Sequence, residues 1–165
     1  MKTHTLIVLV LLTPLLVLSA GDSMSSGGSD NASSSGSSGS SKYDKSYKDG
    51  QAAQKREKYA DAVKYYRQAL KAKPKDADAL NNLGFSLRSI GKQYMVEAAK
   101  AYDGALKSNA NHEDALEYQG ELYLWMGDLG KANANLKKLE KMNSDEAAEL
   151  RKEIDAILAQ AKKLM

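Results

Sequence analysis

An internal repeat with a period of about 34 residues limits the folds that this chain can adopt. Three glycines recur 34 and 36 residues apart, and the alanines that follow them recur 36 and 34 residues apart. Two helices per unit at this period are typical of a stacked helical solenoid. The recurring positions are Gly50, Gly84 and Gly120, then Ala62, Ala98 and Ala132, and then Tyr66, Tyr102 and Leu136.

Apolar residues at spacings of three and four predict two helices in each repeat, each with one apolar stripe. The best-formed first helix is predicted at 77–90, where Leu80, Leu83 and Leu87 share a face. The whole pattern predicts an all-α fold. Its segments are repeats at 43–76, 77–112 and 113–143 and a capping helix at 144–165.

Residues that start or stop helices lie at the ends of the predicted helices. Asp76 is a predicted N-cap, since its carboxylate can accept a hydrogen bond from a free backbone amide of the first turn. Asn111 and Asp128 are predicted to start the two helices of the third repeat, and Gly91 is predicted to stop a helix in the left-handed conformation. The turn around Lys92 to Met95 holds two extra residues, which should lengthen a loop without breaking the stack.

The last predicted helix has an apolar side and a charged side. Its apolar side carries Leu150, Ile154, Ile157 and Leu158. A helix of this kind closes the open end of a solenoid, and repeat proteins need such a cap for solubility.

The N-terminus has the layout of a cleaved export signal. Lys2 supplies a positive charge, Leu6 to Leu18 is an almost uninterrupted apolar run, and small residues follow. We predict a signal peptide at 1–20 with cleavage between Ala20 and Gly21. The alternative is an uncleaved signal-anchor, although the run is shorter than the ~20 residues of a membrane span.

Residues 21–42 are predicted to be a disordered Ser/Gly-rich linker, because from Asp22 to Ser41 fifteen of twenty residues are Ser or Gly. The chain has no cysteine, so an exported domain of this sequence cannot rely on disulfides. We therefore expect a periplasmic or secreted protein, with the bacterial envelope favoured as its location.

Composition argues against several functional classes. The net charge of +3 gives no nucleic-acid footprint, because basic and acidic residues alternate along the predicted helices. Beyond the leader the chain has one histidine, His112, which we predict to be a surface residue. We therefore expect no catalytic residues, no metal site, no cofactor and no enzymatic activity, and contact with a membrane only through an uncleaved leader.

The repeat motifs resemble those of the tetratricopeptide repeat family. The resemblance covers residues 43–143, and it implies a right-handed α-solenoid of three helix-turn-helix units. Departures from the family pattern are a weak first helix, the inserted turn, a missing proline after the second repeat and Leu139 in place of an alanine. The residues that carry the resemblance are Gly50, Tyr59, Ala62, Tyr66, Ala69, Leu70 and Pro74 in the first repeat, Leu80, Leu83, Gly84, Ala98, Tyr102, Ala105 and Leu106 in the second, and Leu116, Gly120, Tyr123, Gly127, Asp128, Leu129, Ala132 and Leu136 in the third.

The resemblance implies that a protein or peptide partner binds in a concave groove lined by the first helix of each repeat. We expect an exported adaptor that assists a complex of the cell envelope. A membrane-tethered scaffold is the alternative. The implied partner-binding residues are Tyr47, Asn81, Asn82, Phe85, Arg88, Tyr118, Glu121 and Trp125.

Two further points bear on this groove. Phe85 and Trp125 are either binding anchors or residues that pack between neighbouring helices. One subtype of the family binds a C-terminal carboxylate with a set of Lys, Asn and Arg residues, of which this chain keeps only Asn82. Binding of an acidic chaperone tail is therefore disfavoured. The other positions of that set hold Tyr47, Gln51, Asp114 and Tyr118.

Overall fold

A computed structural model describes residues 37–163. The predicted signal peptide and most of the predicted linker lie outside the described residues. The helices are α1 (Ser37–Lys55), α2 (Tyr59–Ala72), α3 (Ala77–Ile90), α4 (Met95–Ser108), α5 (Glu113–Trp125), α6 (Leu129–Lys141) and α7 (Glu146–Lys163). Within this range they form three helical hairpins and a final helix, which confirms the predicted all-α solenoid.

Helix α1 begins at Ser37, earlier than the predicted start at Tyr43. Tyr43 is buried at 7% exposure, and its ring stacks on that of Tyr47 and lies under the Lys73 ammonium. This packing fixes the helix near Tyr43. Residues 37–42, which the sequence assigned to the linker, extend it by further turns.

The ends of the helices are mostly where local sequence placed them. Asp76 caps α3 by accepting a hydrogen bond from the Ala79 amide at 2.9 Å, and Asp128 caps α6 through the Lys131 amide at 3.0 Å. The prediction of Asn111 as a cap is wrong. Helix α5 starts one residue later than that prediction requires, so the capping position falls on His112.

The turn between α3 and α4 also differs from expectation. Gly91 has φ 146° and ψ 176°, which is not the predicted left-handed helical conformation but an extended region that almost only glycine occupies. The inserted residues that follow form a 3-10 turn at Lys92–Tyr94, directly before α4. The insertion is therefore absorbed as one short turn, and the stack continues through it.

Close helix crossings explain the recurring glycines. A Cβ added to Gly50 would lie 2.7 Å from the Tyr66 ring, and one added to Gly84 would lie 2.8 Å from the Tyr102 ring. In the third repeat the same position, Gly120, faces Leu150 of α7 instead, at 2.5 Å. Gly50 and Gly84 thus each allow the two helices of their own hairpin to pack closely. Gly120 instead allows the capping helix α7 to pack on α5.

The capping helix is only partly covered. Leu150 and Ile154 are buried in one cluster with Leu116, Leu136 and Leu139. Ile157 and Leu158, predicted on the same apolar side, are 41% and 40% exposed, because no further helix packs over the end of α7 in the described chain. Among the described helices, none combines the length and apolar character that crossing a membrane requires.

Candidate functional site

The predicted partner-binding residues lie on three helices, and several touch across the helix boundaries. The Asn82 side-chain amide of α3 donates a hydrogen bond to the Tyr47 hydroxyl of α1 at 3.0 Å. The Phe85 ring of α3 lies 5.3 Å from the Tyr118 ring of α5, measured between centroids. We call the surface formed by these residues of α1, α3 and α5 the inner face.

Arg88 is the centre of the inner face. Its side chain is 7% exposed and forms an ion pair with Glu121. The guanidinium carbon lies 5.6 Å from the ring centroid of Phe85 and 5.3 Å from those of Tyr118 and Trp125. Four predicted residues are therefore held around one buried cation. Each of these contacts either joins α3 to α5 or packs a ring against the guanidinium.

Burial disfavours the charged form of Arg88, but the neighbouring groups favour that form more strongly. Desolvation alone would lower the pKa of Arg88, whereas the phenol of Tyr102 and the carboxylate of Glu121 raise it overall. The guanidinium therefore stays charged. Its donors face Glu121 instead of solvent, so Arg88 orders the aromatic rings more than it offers itself to a partner.

The two asparagines on α3 behave differently. Asn82 is half-buried and engaged with Tyr47. Asn81 is 2% exposed, and its Oδ1 accepts no hydrogen bond from the described residues. At this exposure the Asn81 side chain lies in the packed interior, unlike that of Asn82.

The aromatic residues divide between packing and exposure. Phe85 contacts both Tyr118 and Tyr59 of α2, whose ring centroid is 6.1 Å away, so it packs between helices. Trp125, at the end of α5, is 41% exposed although one face contacts Arg88. The sequence left two interpretations of these residues open. Phe85 packs between helices, whereas Trp125 keeps an exposed surface that a partner could contact.

A group of carboxylates beside the inner face was not among the predicted site residues. Asp114 and Glu117 of α5 and Glu146, the first residue of α7, bring oxygens within 4.8 Å of one another. Carboxylate oxygens are ligands that hard divalent cations prefer, so within the described residues this group is a candidate metal site. The sequence shows Asp114 and Glu117 one helical turn apart, but only the packing of α7 on α5 brings Glu146 to them.

Glu117 is the unusual member of this group. It is 7% exposed. Its pKa is raised to about 9, chiefly by burial and then by a hydrogen bond and negative charge from Glu146, with Glu121 and Asp114 adding to the effect. At neutral pH the free protein therefore holds a proton at this site.

His112 is not the surface residue that the sequence predicted. It is 9% exposed, and its Nδ1 accepts a hydrogen bond from the Ala115 amide at 3.4 Å, which caps α5. Nε2 lies 3.2 Å from Asp78 Oδ1, close enough for an ion pair when the imidazole is protonated but without hydrogen-bond geometry. Packing of α5 against α3 buries the ring, which accounts for a structural role.

Comparison with known proteins identifies the repeat. Residues 47–92 match the tetratricopeptide repeat family model. The sequence has no significant match among curated proteins. Many solved structures share the fold, all those described here at low sequence identity.

Three of these structures illustrate the similarity. The Arabidopsis OM64 TPR domain is 17% identical, with a TM-score of 0.65, over 72% of this chain and 98% of that one. The TPR2B domain of yeast Sti1, in a complex with pHsp70, is 19% identical, with a TM-score of 0.66, over 73% and 98%. PcrH, in complex with the chaperone-binding region of PopD, is 19% identical, with a TM-score of 0.65, over 74% and 95%.

Proposed function

Given that residues 37–163 have the fold of a tetratricopeptide repeat domain, we propose that this protein is an exported adaptor. It binds a segment of a partner protein on its inner face and helps to assemble or hold a complex of the cell envelope. Domains with this fold are typically protein-interaction modules. The inner face as the binding site, export, and a role in a complex of the cell envelope are what we propose for this chain.

The observation that carries the proposal is the Arg88 cluster. A buried ion pair with Glu121 holds the rings of Phe85, Tyr118 and Trp125 in fixed positions, and Trp125 still exposes 41% of its surface. A pre-ordered aromatic surface costs little entropy when a partner covers it. Rigid aromatic anchors also contribute most of the binding energy in many interfaces.

Solved neighbours support binding of a peptide segment as the mode of recognition. The first TPR of Spaghetti (RPAP3), 24% identical to this chain, is bound to an HSP90 peptide, and PcrH is bound to a region of PopD. The HSP90 peptide and PopD are partners of those two proteins and are not assigned to this chain. For this chain we infer only the mode, in which a segment lies along the first helices of the repeats.

In the proposed mechanism, apolar side chains of the partner cover Trp125 and the exposed parts of Phe85 and Tyr118. Asn82, which is half-buried, binds the backbone of the segment, because an amide side chain can both donate and accept, whereas Asn81 is buried and does not reach it. Arg88 and Glu121 act indirectly, by holding the rings. Tyr47 bonds to Asn82 and fixes its amide at 3.0 Å.

The test is a crosslinked pull-down from a native envelope fraction with wild type, Trp125→Ala and Tyr65→Ala. Tyr65 is a matched control, since it is also an exposed aromatic at 36% but belongs to α2, outside the inner face. We expect Trp125→Ala to lose the partner and Tyr65→Ala to keep it, with both variants folded by circular dichroism. Equal retention by both variants would place the contact elsewhere and overturn the inner-face assignment.

Export is tested separately, by mass spectrometry of the mature N-terminus. Cleavage predicts Gly21 or a neighbouring residue as the first one, because small residues follow the apolar run. A retained leader would instead support the tethered scaffold.

A further inference from the structure

The first helices of the repeats run in the same direction, so the turns of their hairpins lie at one edge of the stack. At the start of α3, Asp78 Oδ1 lies 3.2 Å from Nε2 of His112, the residue that caps the start of α5. Near the end of α3, Arg88 contacts the ring of Trp125, the last residue of α5. The turn after α3 and the turn after α5 are therefore neighbours.

The turn between α1 and α2 belongs to the same edge. Tyr59, which directly follows this turn, contacts Phe85 in the second half of α3, with 6.1 Å between the ring centroids. We call the surface formed by the three hairpin turns the turn edge. It consists of residues 55–58, 91–96 and 125–128.

Positive charge is concentrated at the turn edge, although the net charge of the whole chain is only +3. The charged residues of this edge are four bases, Lys55, Arg56, Lys58 and Lys92, and two acids, Glu57 and Asp128. Asp128 is paired with Lys131 of α6, whereas the four bases form no ion pair with any described residue. The turns at the opposite edge hold two lysines, two aspartates and a histidine, so their charges balance.

Exposed apolar side chains lie among these charges. Val96 is 63% exposed and Met126 is 48% exposed, and Trp125 directly precedes Met126. These three are half of the six large apolar side chains that are exposed in the described chain, and none of the six lies in the turns of the opposite edge. Apolar surface of this kind gains free energy when a partner covers it.

Basic and apolar side chains on one edge suit the surface of a membrane that contains anionic lipid. Lys and Arg are attracted to the lipid phosphates, and their long side chains allow apolar neighbours to reach deeper than the charges do. Tryptophan and other apolar side chains are favoured at the boundary between headgroups and acyl chains. A nucleic acid would pair with the bases but would leave Val96 and Met126 in water.

From this placement we infer that the turn edge binds the surface of a membrane containing anionic phospholipid. The bases contact the lipid phosphates, and Val96, Met126 and the exposed part of Trp125 enter the boundary between headgroups and acyl chains. This contact does not depend on the proposed adaptor function, because it uses the hairpin turns, and the two surfaces meet only at Trp125. It is additional to any contact through an uncleaved leader, and the sequence alone did not predict it.

Trp125 is the only tryptophan of the chain, so its fluorescence reports directly on the turn edge. The experiment titrates the full chain with vesicles of phosphatidylglycerol and phosphatidylcholine, with vesicles of phosphatidylcholine alone, and with anionic vesicles whose acyl chains carry bromine as a quencher. We expect anionic vesicles to shift the emission of Trp125 to the blue, brominated ones to quench it, and salt to weaken both effects. Neutral vesicles should change the emission little.

Two double variants remove the same charge from different edges. Lys58→Gln/Lys92→Gln should weaken binding to anionic vesicles at least about tenfold, because each base near the surface adds to the attraction. Lys75→Gln/Lys107→Gln is the matched control, since both of its lysines are exposed and lie at the opposite edge. This control should bind like wild type, and circular dichroism verifies that both variants are folded.

Three results would overturn the inference. Binding to vesicles without a change in Trp125 emission would assign the contact to the leader. Equal behaviour of the two double variants would show that the turn edge is not the binding surface. No response to anionic vesicles would refute a membrane partner, and salt-sensitive binding to double-stranded DNA would then identify a nucleic acid instead. The inner face is unaffected by these results, because the pull-down tests it separately.

Discussion

At the scale of single residues, Glu117 and Gly84 show how the stack imposes unusual environments on ordinary positions. Glu117 is a carboxyl group that α7 covers with a second carboxyl group, and its pKa rises to about 9. Gly84 lies where the Tyr102 ring leaves no space for a side chain. Both residues occupy regular helix, so tertiary contacts alone make them special.

The raised pKa of Glu117 predicts a pH dependence of stability. The unfolded carboxyl group titrates near about 4.3, so between that pH and about 9 only the native state binds this proton. Stability should therefore fall as pH rises through this range, by at most about 1.4 kcal/mol per pH unit. Burial is the largest cause of this raised pKa, and the groups facing Glu117 that add to it are Glu146, Glu121 and Asp114.

Urea unfolding of wild type and Glu117→Gln across this pH range checks the prediction. The glutamine variant lacks the titrating group, so its stability should change less with pH and exceed that of wild type at the alkaline end. Parallel pH profiles for the two proteins would show that Glu117 ionises normally.

Gly84→Ala should destabilise the protein by about 1–3 kcal/mol, since the new methyl group would overlap the Tyr102 ring. Gly104→Ala is the control. It is also a helical glycine, but an added Cβ would lie 3.4 Å from the nearest atoms of Leu80, in ordinary contact. There the gain in helix propensity, about 0.5–1 kcal/mol, should dominate. Chemical denaturation of both variants measures the change in their free energy of unfolding. Equal destabilisation of the two would argue against the close helix crossing at Gly84.

At the scale of helices, the third repeat is joined to the second by polar and aromatic contacts on the inner face and by apolar contacts elsewhere. Arg88 of α3 and Glu121 of α5 are both largely buried, with 7% and 17% of their side chains exposed. His112 caps α5 while packed beside Asp78 of α3. The spacing of these two helices therefore depends on a small number of specific contacts.

Arg88→Met should destabilise the protein by about 3 kcal/mol or more, because it leaves the Glu121 carboxylate buried without its partner. Arg88→Met combined with Glu121→Gln should recover much of the loss. A double-mutant cycle by urea unfolding measures the coupling between the two residues.

The Arg67–Glu97 pair provides the comparison for this cycle. It also joins two helices, but its side chains are 50% and 46% exposed. Solvent screens such a pair, so its coupling should be below about 1 kcal/mol. Similar coupling energies for the two pairs would contradict the buried position of Arg88.

At the scale of the whole molecule, each helix contacts mainly its neighbours along the chain, and α7 ends the stack. Stability in such an array is the sum of repeat and interface contributions, so the last interface matters to the entire third repeat. Leu150 is fully buried against Gly120, whereas Ile157 on the same helix is 41% exposed. The first half of α7 therefore closes the core, and its second half does not.

Leu150→Ala should cost about 2–5 kcal/mol, as expected for removal of a fully buried leucine. Ile157→Ala is the matched exposed position and should change stability by less than about 0.5 kcal/mol. Thermal or chemical unfolding of both variants tests the cap. A large loss for Ile157→Ala would mean that a surface outside the described residues covers the end of α7.

The repeat period, the all-α class, the resemblance to the tetratricopeptide repeat family and most helix ends could all be predicted from the sequence. These follow from local patterns: apolar periodicity within one helix, and caps such as Asp76 and Asp128 that bond to an amide in the next turn. Where local signals were close together, as at Asn111 and His112, the sequence selected the wrong cap.

Which inner-face residues are free and which are occupied depends on contacts between helices, and these could not be predicted from the sequence. Sequence placed Arg88, Glu121 and Trp125 on one face, but not the ion pair that buries Arg88 among the rings. It could not show that α7 brings Glu146 onto Glu117, nor that Gly120 receives Leu150. Such contacts join residues far apart in the chain, and they depend on how neighbouring helices cross, which no periodicity within a single helix encodes.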